Sequence, residues 1–153
     1  MRTLVRRAPK SLFLLFFLIA MGGVCSARDM AVVINKTNAT KAMPLADLVK
    51  VVKGVTKKWP DGKNITVVIK DPGAADMKVV VAKLFGLTVE EVKALAASNK
   101  FVIVDSDAAL VKAVEANPSA VGFVDIYSIT GGIAVMKVEG KLPMEPGYPL
   151  HGT

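Results

Sequence analysis

Cysteine, histidine and aromatic residues are all scarce in this chain. Its 153 residues include one cysteine (Cys25), one histidine (His151) and one tryptophan (Trp59), and aromatics amount to 6%. Cys25 lies in the N-terminal segment, so the body of the chain has no thiol for nucleophilic attack and none for a disulfide. With His151 alone near the C terminus, Cys–His and Ser–His nucleophile arrangements lack their base. Nitrogen and sulfur metal ligands are missing for the same reason. Neither a G-x-G-x-x-G run nor a Walker lysine motif is present, so the usual cradles for nucleotide phosphates are absent. The carboxylate pairs Asp105/Asp107 and Glu90/Glu91 sit at predicted helix starts, where acids suit the helix dipole, and read as caps. No catalytic residue, metal ligand or cofactor site is therefore predicted, and the enzyme classes have nothing to carry them.

Only one long hydrophobic run exists, LFLLFFLIA at residues 12–20. Arg2, Arg6, Arg7 and Lys10 precede it, and small residues follow it up to Ala27. That order predicts a signal peptide over residues 1–27, cleavage near Ala27 and export, to a periplasm or its equivalent. Cleavage there removes Cys25; the alternative is a lipoprotein acylated at Cys25, with Val24 a poor fit to the preceding position. The formal net charge of +7 falls to +3 once the four leader cations are gone. The remaining lysines are scattered along the sequence without interleaved aromatics, so no nucleic-acid partner is predicted. Three N-x-T sequons, at Asn35, Asn38 and Asn64, are read as coincidental in a bacterial protein.

What is present is an alternation of short apolar runs and helical patterns. MAVVIN (residues 30–35), ITVVI (65–69), FVIV (101–104), AVGFV (120–124) and IAVMKV (133–138) read as strands. They are continuous rather than alternating, which predicts burial on both faces. Between them, Pro44 starts a helix with Leu45, Leu48, Val49 and Val52 at helical spacing, and Gly54 ends it. Trp59-Pro60-Asp61-Gly62 is a tight turn. A helix is predicted over residues 74–85 with Gly86 after it, then a T-x-x-E capping box at Thr88/Glu91, then a helix capped by Asp105, Ser106 or Asp107. The fold class is α/β, a three-layer sheet with helices on both faces. The predicted domain covers residues 28–140, followed by an irregular tail, 141–153, packing through Leu142, Tyr148 and Leu150.

The strand ending at Ile69 runs into the loop Lys70-Asp-Pro-Gly-Ala-Ala-Asp-Met77. A glycine loop opening a helix at the carboxyl edge of a sheet offers free N–H groups to an anion, and Lys70 adds charge. Lys70, Gly73, Ala74, Ala75 and Asp76 are therefore the candidate ligand-binding residues. The structural alternative is a loop that merely turns strand into helix, with Asp76 as its cap.

The stretch from Met43 to Gly73 resembles one lobe of the phosphate-binding proteins of bacterial ABC importers, in the type II periplasmic binding protein superfamily. There a helix ending in Gly, a W-x-D-G turn and a strand into an anion loop recur. VDSDAALVKAVEANPSAVGFVD (104–125) and AVVINKTNAT (31–40) are similar to further segments of that lobe, with Gly122-Phe123 for its Gly-Tyr. The resemblance implies a single-lobe short form that binds phosphate or a similar oxyanion and works with an ABC permease or another envelope protein. It places the family's anion-binding Arg at Lys70, its glycines at Gly73 and Ala75, and its Ser and Thr at Ala74 and Asp76. It also brings Asn35 and Lys36 forward as ligand-facing residues. Two hydroxyl donors are thus replaced and a carboxylate enters the loop. The alternative function is a non-transport interaction module using the lobe as a scaffold. A lone lobe does not bury an anion on both sides, which makes a homodimer the form expected to bind tightly.

Overall fold

The computed structural model describes residues 28–152. The predicted leader and Cys25 lie outside the described residues. The elements run β1 (Met30–Asn35), β2 (Ala42–Met43), α1 (Leu45–Val52), β3 (Thr66–Lys70), a helical run over residues 75–85, α3 (Val89–Ser98), β4 (Val102–Val104), α4 (Asp107–Ala116), β5 (Ala120–Asp125), β6 (Ile133–Val135) and β7 (Lys137–Val138). The run over 75–85 changes pitch as it goes: a 3-10 turn at Ala75–Met77, one α-helical turn, α2 (Lys78–Val80), and a π turn at Val81–Phe85.

Five strands form one mixed sheet in the order β4-β3-β5-β1-β6. β3 is parallel to both β4 and β5, whereas β1 lies antiparallel to β5 and to β6. β1 explains its own unbroken apolar sequence. Met30, Val32 and Ile34 join the core under α1, α3 and the 75–85 run, while Ala31 and Val33 face the second core under α4. All five are fully buried, and each such side chain contributes about 1.5–3 kcal/mol for the larger ones. The sheet thus has helices on both faces, as the sequence predicts, and the three layers are closed by two apolar cores.

Local chemistry accounts for the helix ends. α1 stops in a Schellman turn: Gly54 adopts φ +72°, its N–H donates to Val51 O, and the Val55 N–H donates to Lys50 O. Pro44 sits at the cap of α1 and not inside its first turn. The Thr88/Glu91 capping box is formed in both directions. Of the three residues offered as cap for α4, Ser106 takes the role, accepting from the Ala109 N–H at 3.2 Å. Gly122 is required by packing: a Cβ there would lie 2.6 Å from Leu110 Cδ2, so its absence lets α4 close on the sheet.

Four expectations are corrected. The FVIV run is the sheet edge, with Val102 and Ile103 exposed, because β4 has a neighbour on one side only. IAVMKV is two strands: Met136, whose N–H still donates to Val32 O of β1, lies between them, and β7 pairs with β2 in a separate two-stranded sheet. β2 itself lies in a segment whose polarity hides it. The tail packs through Tyr148 and Leu150 as expected, but Leu142 is exposed.

Candidate functional site

The carboxyl ends of β3, β4 and β5 share one edge of the sheet, and that edge collects the polar chemistry. Register sets the arrangement, since Lys70 at the end of β3 lies beside Val104 of β4. Three residues beyond Val104, Asp107 in the first turn of α4 reaches back to Lys70, Oδ1 lying 2.5 Å from Nζ. Asp76, in the 3-10 turn, holds the same ammonium from the other side. Ser128, just past β5, donates its hydroxyl to Asp107 Oδ2 at 2.7 Å.

Lys70 is the buried member, 7% exposed at its side chain, against 38% for Asp76 and 19% for Asp107. Burial alone would lower its pKa. Its close contacts with the Asp107 and Asp76 carboxylates, and their charges, outweigh that and hold it above the ordinary lysine value. One cation between two carboxylates leaves a cluster with a formal charge of −1.

The loop that carries these groups is folded on itself. Gly73 N–H donates to Asp71 Oδ1 at 2.9 Å and Ala74 N–H to Asp71 O at 2.9 Å. Lys70, Gly73, Ala74, Ala75 and Asp76 are thus brought together at the carboxyl edge. Asn35 and Lys36 are not. β1 runs antiparallel to β5, so its end lies at the opposite, amino edge, away from the Lys70 loop. The Asn35 amide is also fully engaged: Nδ2 donates to Val114 O and Glu115 O, closing the end of α4, and Oδ1 accepts from Thr37. Lys36 is exposed.

Sequence reasoning missed Asp107 and Ser128 as partners of the loop. Asp107 was visible only as a helix-start acid, and its reach to Lys70 depends on β3–β4 pairing that periodicity does not reveal. A second group at this edge was missed as well. Asp29, buried, accepts from the Met144 N–H at 2.6 Å and pairs with His151 Nδ1. Arg28 pairs with Asp125 at 3.0 Å and lies 5.8 Å from the Tyr127 ring centre. Arg28, Asp29, Tyr127 and His151, with Met144 and Tyr148, line a cleft of about 580 Å3 beside β1 that Lys70 does not enter. Among the described residues no group of three or more His, Cys, Asp or Glu side chains is placed to hold a metal ion.

No protein-family model matches the chain, and no curated protein matches it. Solved structures do. An ABC-type phosphate transport receptor from Vibrio cholerae superposes with a TM-score of 0.70 at 20% identity, over 82% of this chain and 54% of that one. PstS from Borrelia burgdorferi gives 0.69 at 14% identity, over 82% and 55%. A phosphate-binding protein from Stenotrophomonas maltophilia gives 0.64 at 16%, over 82% and 52%. The fold is that of the phosphate-binding proteins. The chain spans about half the length of the solved chains it matches, so what it shares with them is the architecture of one lobe.

Proposed function

We propose that this chain is an exported solute-binding lobe that takes a small oxyanion of the phosphate class at Lys70, in the service of ABC-type import. One observation carries the reading: a buried ammonium stands at the carboxyl end of β3, and one of its two partners, Asp76, is half exposed on a short 3-10 turn. In this reading an oxyanion oxygen would take the place of Asp76 Oδ2 beside the ammonium. Displacing it exchanges one anion for another and leaves Lys70 paired, while Asp107 stays in place through Ser128. The likeness to proteins described as phosphate receptors supports the same ligand class. The role we read here is one of binding rather than catalysis.

Thermal melting with and without millimolar phosphate, sulfate or molybdate tests this. A ligand at ten times its Kd stabilises by about 1.4 kcal/mol, a rise of roughly 5 °C for a domain of this size. Asp76→Asn frees the ammonium from a competing carboxylate, and its shift should exceed that of the wild type. If neither protein responds to any of the three anions, the oxyanion reading fails.

The closed Lys70–Asp76–Asp107 cluster favours a second reading, a lobe that serves as a scaffold for a protein partner and holds no small ligand. It requires that Asp76→Asn leave anion binding absent while a specific envelope protein is retained by the chain.

A further inference from the structure

Lysines that look scattered in the sequence converge at the amino edge of the sheet. The segments entering β3 and β4 and the one leaving β1 all lie there, because β1 runs against its neighbours. They carry Lys36, Lys41, Lys53, Lys57, Lys58, Lys63 and Lys100, all exposed. Of these, Lys63 pairs with Asp61, and the other six make no ion pair among the described residues. Helix ends explain part of this: Lys53 and Lys100 follow α1 and α3, where cations suit the dipole. Lys36, Lys41, Lys57, Lys58 and Lys63 follow no helix end. Among them lies Val55, 71% exposed, within the run Lys53-Gly-Val-Thr-Lys-Lys58. The carboxyl edge is the counterpart. Asp29, Asp71, Asp76, Asp105, Asp107 and Asp125 lie there, most of them already matched by Arg28, Lys70 or His151.

We infer that the amino edge is a docking face for an anionic lipid surface. Unmatched ammonium groups on flexible stems attract acidic headgroups without fixed geometry, and an apolar side chain at a loop tip enters the headgroup layer. A lysine face fits a diffuse layer of charge, whereas a protein partner would favour planar guanidinium groups, and among the described residues this edge has no arginine. Seated this way, the lobe turns its opposite edge, with Lys70, away from the membrane and toward solution. The inference stands independently of what, if anything, Lys70 binds.

The test is co-sedimentation of the chain, processed and recovered from cells, with vesicles of phosphatidylcholine containing about one-third phosphatidylglycerol, and with pure phosphatidylcholine. Each basic residue near such a surface strengthens partition roughly five-fold, so Lys57→Gln/Lys58→Gln/Lys63→Gln should bind the anionic vesicles on the order of 100-fold more weakly. A matched triple on helices away from the edge, Lys78→Gln/Lys93→Gln/Lys112→Gln, should stay within about two-fold of wild type. A fluorophore at Val55→Cys should report insertion while one at Tyr127→Cys does not. Equal losses in the two triples, equal binding to both vesicle types, or a response at Tyr127 and none at Val55 would each overturn the inference. Retention by soluble polyphosphate as strong as by the vesicles would do so too, by making the face a general polyanion site.

Discussion

Replacing Lys70 by methionine probes the cluster that organises the carboxyl edge. Methionine keeps the stem and removes the charge. Asp107 then keeps only the Ser128 hydroxyl, in a setting where its side chain is 19% exposed, and Asp76 turns to water. Breaking a buried pair by removing one partner costs about 3–5 kcal/mol, and the exposure of Asp76 places this case at the lower end, about 3 kcal/mol. For a domain of this size that lowers the melting temperature by roughly 12 °C. The second substitution isolates the cause. Lys70→Met/Asp107→Asn removes the stranded carboxylate but retains an acceptor for Ser128, and it should recover about 2 kcal/mol of the loss. Urea unfolding at neutral pH measures both. A Lys70→Met protein within about 0.5 kcal/mol of wild type, or a double variant no better than the single, would refute the reasoning: the ammonium would then be solvated and the carboxylates indifferent to it.

Alkaline pH should weaken the fold through two groups. The folded chain holds the Lys70 proton more tightly than the unfolded one, so that contribution is complete below the ordinary lysine pKa of 10.5 and is lost as pH climbs through the raised value. Burial raises the Tyr148 hydroxyl too, and its share fades above the ordinary value of 10.0, so urea midpoints should fall from there upward, less steeply in Tyr148→Phe. Gly54→Ala forces φ +72° on a side chain whose Cβ would sit 2.4 Å from Asn99 Oδ1; a loss of about 2 kcal/mol in thermal or urea unfolding is expected. Asn35→Ala strips the donors at 2.9 and 2.8 Å from Val114 O and Glu115 O. It should destabilise by about 1–3 kcal/mol, with faster hydrogen exchange in the last turn of α4 as the local signature.

Much of this architecture is legible in the chain because its local signals agree with its fold. The Thr88/Glu91 box and the glycine after α1 act through neighbours in sequence, and both are found as read. The apolar runs of β1, β3 and β5 mark strands covered on both sides whatever their direction. Direction is what such runs do not encode. β1 has the composition of a parallel strand and lies antiparallel, and that reversal sends Asn35 and Lys36 to the far edge from Lys70. FVIV carries the same apolar signal at a sheet edge, since being at the edge depends on which strands pair. The loop over 70–77 was recognisable, whereas Asp107 and Ser128 reach it only through strand register. The lysine face is invisible in sequence for the same reason, as its members come from three separate segments.

The reversed strand β1, between β5 and β6, has one more effect. Met30 N–H donates to Leu150 O at 3.1 Å, so the first and last strands of backbone in the described domain run side by side at the carboxyl edge. A chain joined head to tail there by a short linker and opened instead at the exposed Asp61-Gly62 turn should retain its three layers. Such a circular permutant would present two free ends at the lysine face, leaving the Lys70 edge uninterrupted by any chain terminus.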